Sequence, residues 1–200
     1  MRNIIYHSGL VSKNVWFLEF KKYLELLNKG SSYPDIKSMQ ESENIFSARS
    51  ERNGNRILGA VRARVDALPQ DVQDLFFELD VANQKYINLL GVLLTDRLFF
   101  EYVYAVYRTQ VILGSVEYSP SMARAYIYDM MQQHDELADL IDSTVNRLSS
   151  AYTTHLHESG LLDKRGGSYY YRHILMDERL ERVMMENNLE PYLKAMKGDA

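Results

Sequence analysis

Cysteine is absent from all 200 residues. That excludes a disulfide framework, a thiolate nucleophile and every zinc site built on sulfur ligands, so packing must hold the fold together. A long apolar run is missing too. The longest attractive one, YINLLGVLLT from Tyr86 to Thr95, has ten residues, whereas a membrane helix needs about 20. The N-terminal MRNIIYHSGLVSKNVWF is interrupted by His7, Ser8, Ser12, Lys13 and Asn14 and has no signal-peptide core. These absences predict a soluble, cytoplasmic protein. Also lacking are a glycine-rich phosphate loop, an H-E-x-x-H pair and a serine in a nucleophile elbow. His155 and His157 stand two apart on a predicted helix and point to different faces, one half-buried and one exposed, so they do not chelate one ion. Asp71/Asp74 and Asp135/Glu136 read as solvated helix starts. The expectation is no enzyme, no metal, no cofactor and no small-molecule substrate.

What is present is helical periodicity. Hydrophobic residues make up 46% of the chain, enough for one sizeable core, and the punctuation between apolar stretches is that of helix ends rather than strand turns. The fold class expected is all-α, one compact globular body with two helix-turn-helix units, the second carrying a short β-hairpin wing. A first helix is predicted from about Asn14 to Asn28, stopped by Lys29 and Gly30, and a short one follows Pro34. Asn53-Gly54 reads as a turn with Asn55 as a cap. From there Ile57, Leu58, Val61, Val65 and Leu68 form one stripe, and Pro69 ends the run. Three closely spaced helices are expected between Gln70 and Leu113, the last two apolar on most faces and therefore buried. Ser119-Pro120 opens a helix to about His134. DELADLI makes a short one, and Asp142 and Ser143 cap a longer one ending at Gly160. Then LLDKRGGSYYYRHIL sets Gly-Gly between two extended stretches, a β-hairpin, before two closing helices. The divisions read from this are 1–68, 69–118 and 119–200.

Charge is distributed unevenly. The formal net charge is −4, yet NIFSARSERNGNRILGAVRARV, residues 44–65, holds Arg49, Arg52, Arg56, Arg62 and Arg64 against one acid, Glu51, and no lysine. A helical projection places Asn55, Arg56, Gly59, Ala63 and Asp66 opposite the apolar stripe, with Arg62 and Arg64 flanking. Such a face is small in the middle and basic at its edges, which suits close approach to a nucleic-acid groove, because arginine forks match phosphates and guanine edges. The bland reading is a solvated surface paired with acids such as Asp71, Asp74 and Glu78. The second candidate spans 135–172. On its longer helix Val145, Leu148, Tyr152, His155 and Leu156 face inward and Asn146, Arg147, Ser150, Thr153, Thr154 and His157 are left outward, with Ser143 and Thr144 at the helix start as further candidate DNA contacts. Lys164 and Arg165 mark the hairpin tip, with Arg172 beyond it. Short helix, long helix and hairpin are the order of a winged helix-turn-helix, although a polar helix beside an ordinary hairpin would look the same.

Three stretches carry a resemblance: the arginine-rich run Arg49 to Leu68 that ends RVDAL, the helix TDRLFFEYVYAVYR, and STVNRLSSAYTTHLHESGLLD. Together they make the sequence similar to the BrxA family of BREX phage-defence loci across most of its length. The resemblance implies an all-α fold with two helix-turn-helix units and double-stranded DNA binding inside a multi-protein system, with other BREX subunits as possible partners. The same family has been compared with the RNA-binding NusB fold and labelled an inner-membrane protein, and the missing apolar span argues against that label. The function expected is that of a monomeric accessory protein gripping duplex DNA through phosphates. Two alternatives stand beside it: an RNA-binding helical module, and a scaffold that binds other defence subunits.

Overall fold

The computed structural model describes residues 5–198. After a 3₁₀ turn at Gly9–Ser12 the chain runs on to Trp16, whose φ of 47° is left-handed. Helix α1 (Phe17–Asn28) starts there, later than the Asn14 expected. The physical reason is tertiary: the carbonyls of Asn14 and Val15 both accept hydrogen bonds from the Arg64 side chain, so they lie outside the ladder of α1. Helix α2 (Tyr33–Glu43) opens with a capping box, in which Ser32 N–H donates to Asp35 Oδ2 at 2.8 Å and Asp35 N–H returns to Ser32 Oγ at 3.4 Å. Helix α3 (Glu51–Ala67) is capped by Ser50, whose Oγ accepts from Asn53 N–H at 3.3 Å. Asn53-Gly54 is thus not a turn, and Asn55 is not the cap. Both expectations fail because Gly54 serves packing: a Cβ there would stand 2.3 Å from Gln40 Nε2 of α2. The predicted stripe holds, with Ile57, Leu58, Val61, Val65 and Leu68 all buried, each worth about 1.5–3 kcal/mol of burial.

The middle of the chain forms α4 (Gln70–Leu75), α5 (Val81–Thr95) and α6 (Arg97–Tyr102). A π-helical turn, Val103–Tyr107, carries α6 into α7 (Arg108–Ile112). Asp80 and Asp96 cap α5 and α6 by accepting from Asn83 N–H and Phe99 N–H. These helices bury residues such as Ile87, Leu90, Phe99 and Tyr107 completely, as their all-round apolar character predicts.

Then follow β1 (Glu117–Tyr118), α8 (Pro120–Gln133), α9 (Asp135–Ala138), α10 (Asp142–Glu158), β2 (Leu162–Arg165), β3 (Ser168–Tyr171), α11 (Glu178–Glu186) and α12 (Glu190–Lys197). The expected hairpin is present, turning through Gly166 and Gly167 at φ 55° and 95°. A third strand, β1, which is too short for the sequence to signal, joins it. It pairs antiparallel with β3, giving the order β1-β3-β2. Ile141 stands at the N-cap of α10 without a side-chain bond, so Asp142 and Ser143 lie inside the helix rather than capping it. The Asp142 carboxylate instead accepts from Tyr128 OH at 2.9 Å. The fold is mainly α, and buried residues from α1 through α12 join one continuous core.

Candidate nucleic-acid interface

Around the start of α3, Arg49, Arg52, Asn55 and Arg56 are exposed. Arg56 donates to Asn53 Oδ1 at 2.7 Å, and its guanidinium lies 5.7 Å from the centre of the Trp16 ring. Among the described residues none of Arg49, Arg52 and Arg56 enters an ion pair, whereas arginines elsewhere do: Arg97 with Glu101, Arg165 and Arg172 with Asp163, and Arg179 with Asp177 and Glu78. The acids suspected of neutralising the stretch are engaged elsewhere. Asp74 accepts from Gln70, Asp71 from Asn187, and Glu78 from Arg179. Glu51 remains the one acid within that turn, and helix N-termini favour negative charge, so the end of α3 has residual capacity for an anion.

The other two arginines depart from the sequence reading. Arg62 is half-buried, bonded by Nε to Asp66 Oδ2 at 3.1 Å and stacked 3.7 Å from the centre of the Tyr33 ring. Asp66 is the residue that follows the arginine-rich stretch 44–65. Arg64 is a correction. It is 2% exposed and donates to Val15 O, to Asn14 O at 2.7 Å and to Asn88 Oδ1 at 3.4 Å. Burial lowers its pKa to about 10, so it stays charged at neutral pH, satisfied by carbonyl dipoles rather than by a carboxylate. It is a structural pin and is inaccessible to phosphate. The same segment is held from α10, where His155, 2% exposed, approaches Lys13 O at 3.2 Å through Nε2. Desolvation, and then the neighbouring Arg64, push His155 down to about 3. It is fully buried rather than half-buried, while His157 is the partly exposed one.

On α10, Ser143, Asn146, Arg147, Ser150 and Thr154 are exposed and Thr144 is half-buried. Thr153 is the second correction. It is 4% exposed, because β1 covers it: Tyr102 OH donates to Tyr118 OH at 3.0 Å, and Tyr118 lies 3.3 Å from Thr153 Oγ1, which donates to Ser149 O. At the hairpin, Lys164, Arg165 and Arg172 are exposed, but Asp163 stands 3.2 Å from Arg165 and 3.8 Å from Arg172. Two of the three hairpin cations are therefore partly compensated.

Trp16, Phe17 and Lys85, which the sequence did not mark as site residues, join these elements. A cleft of about 780 Å³ is lined by Trp16, Phe17, Lys85, Thr154 and His157, so the outer face of α10 opens toward the ring that Arg56 touches. The lone tryptophan was a visible signal, but its left-handed backbone and its place between α3 and α10 were not. No grouping of three or more potential metal-binding side chains occurs among the described residues, and no helix among them is long and apolar enough to cross a membrane.

Comparison with known proteins follows the same outline. A crystal structure of an uncharacterized protein from Magnetospirillum magneticum superposes with a TM-score of 0.81, covering 96% of this chain and 98% of that one at 15% identity, which shows a shared fold. A BREX protein BrxA of Bacillus cereus (strain H3081.97) is 28% identical over 195 residues, 98% of this chain and 92% of that protein. The sequence profile of the BrxA family matches residues 4–188, so this chain belongs to the BrxA family.

Proposed function

We propose that this protein is a non-enzymatic, duplex-DNA-binding component of a BREX phage-defence system, acting mainly through phosphate contacts. Its relative carries the name BREX protein BrxA. The observation that carries the DNA-binding part is the exposed trio Arg49, Arg52 and Arg56 around the Ser50-capped end of α3, without carboxylate partners among the described residues. Unpaired arginines at a helix N-terminus combine fixed forks with backbone donors, which is what a phosphate needs.

The second contact is the outer face of α10 with its hairpin. Strand β1, helices α8 to α10 and the pair β2–β3 follow one another as in a winged helix, with the sheet order β1-β3-β2. Asp142 stands in the first turn of α10 and Asp139 just before it, and these would repel phosphate. Contact therefore falls further along, on Arg147, Ser150, Thr154 and His157, with Lys164 at the hairpin tip. Of the 15 tyrosines, Tyr6, Tyr23, Tyr86, Tyr102, Tyr107, Tyr118 and Tyr152 are core residues and all the others but Tyr128 are half-buried, which does not favour the base stacking that single-stranded RNA recognition needs.

The test is fluorescence anisotropy with duplex DNA, single-stranded DNA and hairpin RNA across a salt series. Duplex should bind best. Charge reversal of Arg49, Arg52 and Arg56 to glutamate should weaken all duplexes alike and reduce the slope of log K against log salt by about 2 to 3, since each lost phosphate contact removes about 0.9. A folded triple variant that binds duplex like the parent would show that the trio is only a solvated surface.

A further inference from the structure

The molecule has a second chemically distinctive surface, on elements that the arginine trio does not share. Helix α6 and its π-helical turn, α8 and the start of α12 enclose a pocket of about 590 Å³ lined by Phe100, Tyr104, Ala105, Tyr126, Met130 and Pro191, with Glu101, Asp129 and Gln133 at its polar side. That volume and mix of apolar wall with a few polar groups is characteristic of a binding pocket. The π-helical turn supplies Tyr104 and Ala105, and such turns inside α-helices are frequent at functional positions. Methionine beside aromatic rings makes a wall that adapts to the shape it receives.

Charge decides what kind of group fits. From Ala125 to Asn146 the chain carries five acids, Asp129, Asp135, Glu136, Asp139 and Asp142, and no lysine or arginine. Two cations on the helix that carries Glu101 and Tyr104 are engaged. Arg97 Nε bonds Glu101 at 2.7 Å, and the Arg108 guanidinium lies 4.7 Å from the Tyr104 ring centre. Glu136 lies close enough to Arg97 and Tyr6 to act on both electrostatically, which places it beside the Arg97–Glu101 pair. Asp129 and Glu136 are exposed, and no described cation lies within ion-pair distance of either. An apolar pocket whose polar side carries Asp129 without a cation partner, with Glu136 beside an Arg97 already paired to Glu101, complements an apolar group flanked by positive charge.

We propose that this pocket is a docking site for a partner protein, and that it takes an aromatic or aliphatic anchor side chain flanked by lysine or arginine. The anchor seats against Phe100, Tyr126 and Met130, and the flanking cations meet Asp129 and Glu136. The site goes beyond DNA binding and does not rest on it. One face of the molecule would grip an anion, and the other would recruit a basic segment of another subunit.

The probe is a fluorescein-labelled hexapeptide Lys-Lys-Trp-Leu-Lys-Lys, compared with Glu-Glu-Trp-Leu-Glu-Glu, titrated with the full chain and read by anisotropy. The basic peptide should bind saturably and the acidic one at least about tenfold more weakly. Ala105 is exposed, so Ala105→Trp should fill the pocket mouth without disturbing the core; Gln133→Trp is a second block should the first not fold. Either block should weaken the basic peptide about tenfold although neither alters charge, and Asp129→Lys should weaken it about fivefold. Duplex binding by the blocked variants should equal the parent's, whatever its strength, which separates this site from the arginine trio. Equal binding of the basic peptide to folded blocked and parent proteins would mean that charge alone attracts it, and would overturn the pocket. So would equal binding of the two peptides, or no saturation below about 1 mM.

Discussion

Acidification should destabilise this protein through one imidazole. His155 is sealed between α10, the Lys13 carbonyl and the ring of Phe99, 5.7 Å away, and its folded-state pKa is about 3 against an ordinary 6.5. The Arg64 guanidinium from α3 faces it, and the Nε2–H donates to Lys13 O. Between those pH values the unfolded chain takes up a proton on this side chain and the folded chain does not, so stability falls as pH falls, by about 1.4 kcal/mol per pH unit. From pH 7.5 to 5.0 the loss is about 2 kcal/mol. That figure does not depend on how far below pH 4 the folded pKa lies. Asp96 acts in the opposite direction. Burial raises its carboxyl, so the folded state holds its proton more readily and gains stability as pH falls toward the raised value. The comparison must therefore isolate His155. Chemical denaturation of the parent and of His155→Gln at both pH values does so, because glutamine keeps a donor for Lys13 O and does not titrate. The parent should lose about 2 kcal/mol more than the variant across the interval. Parallel losses in the two proteins would refute the reasoning, since the imidazole would then be titrating as freely in the fold as outside it.

Arg64→Met should cost about 2 to 4 kcal/mol in denaturant unfolding, because Asn14 O and Asn88 Oδ1 lose their donor while Val15 O keeps the Asn88 side-chain N–H at 3.1 Å. An unchanged midpoint would show the guanidinium to be dispensable. The same variant should lessen, without abolishing, the acid sensitivity assigned to His155, since desolvation outweighs Arg64 there. Two glycines make an opposed pair. Gly59→Ala meets nothing within 4 Å and should stabilise by up to about 1 kcal/mol. Gly91→Ala brings a Cβ to 2.9 Å from Arg64 Cβ and 3.1 Å from Arg64 O, where backbone must move, and should destabilise by about 1 to 2 kcal/mol net of the gain in helix propensity. Thermal melting of the two should shift in opposite directions, and equal shifts would contradict the close α3–α5 crossing.

The order of helices, the apolar stripe of α3, the Gly-Gly hairpin and the family itself were determined by the sequence alone. Each rests on local spacing, on caps such as Ser119-Pro120, or on stretches that keep their identity without reference to distant partners. What lay beyond it was decided by atoms far away along the chain. In projection Arg64 sits only about 60° from Val61, as close to the buried centre as Leu58; its charge argued it outward, and only the carbonyls of Asn14 and Val15, about fifty positions earlier, make its burial affordable. Thr153 was polar and laterally placed, and it is covered by Tyr118 from a strand of two residues, too short to leave a periodic signal. Gly54 looked like a turn because glycine usually is one, and only the approach of Gln40 explains it as a contact. The pocket beside Tyr104 had no signal in sequence, because its walls come from α6, α8 and α12 and meet only when the core closes. Local chemistry sets which helices form, whereas the accessibility of a charge depends on which distant backbone groups the packing brings to it.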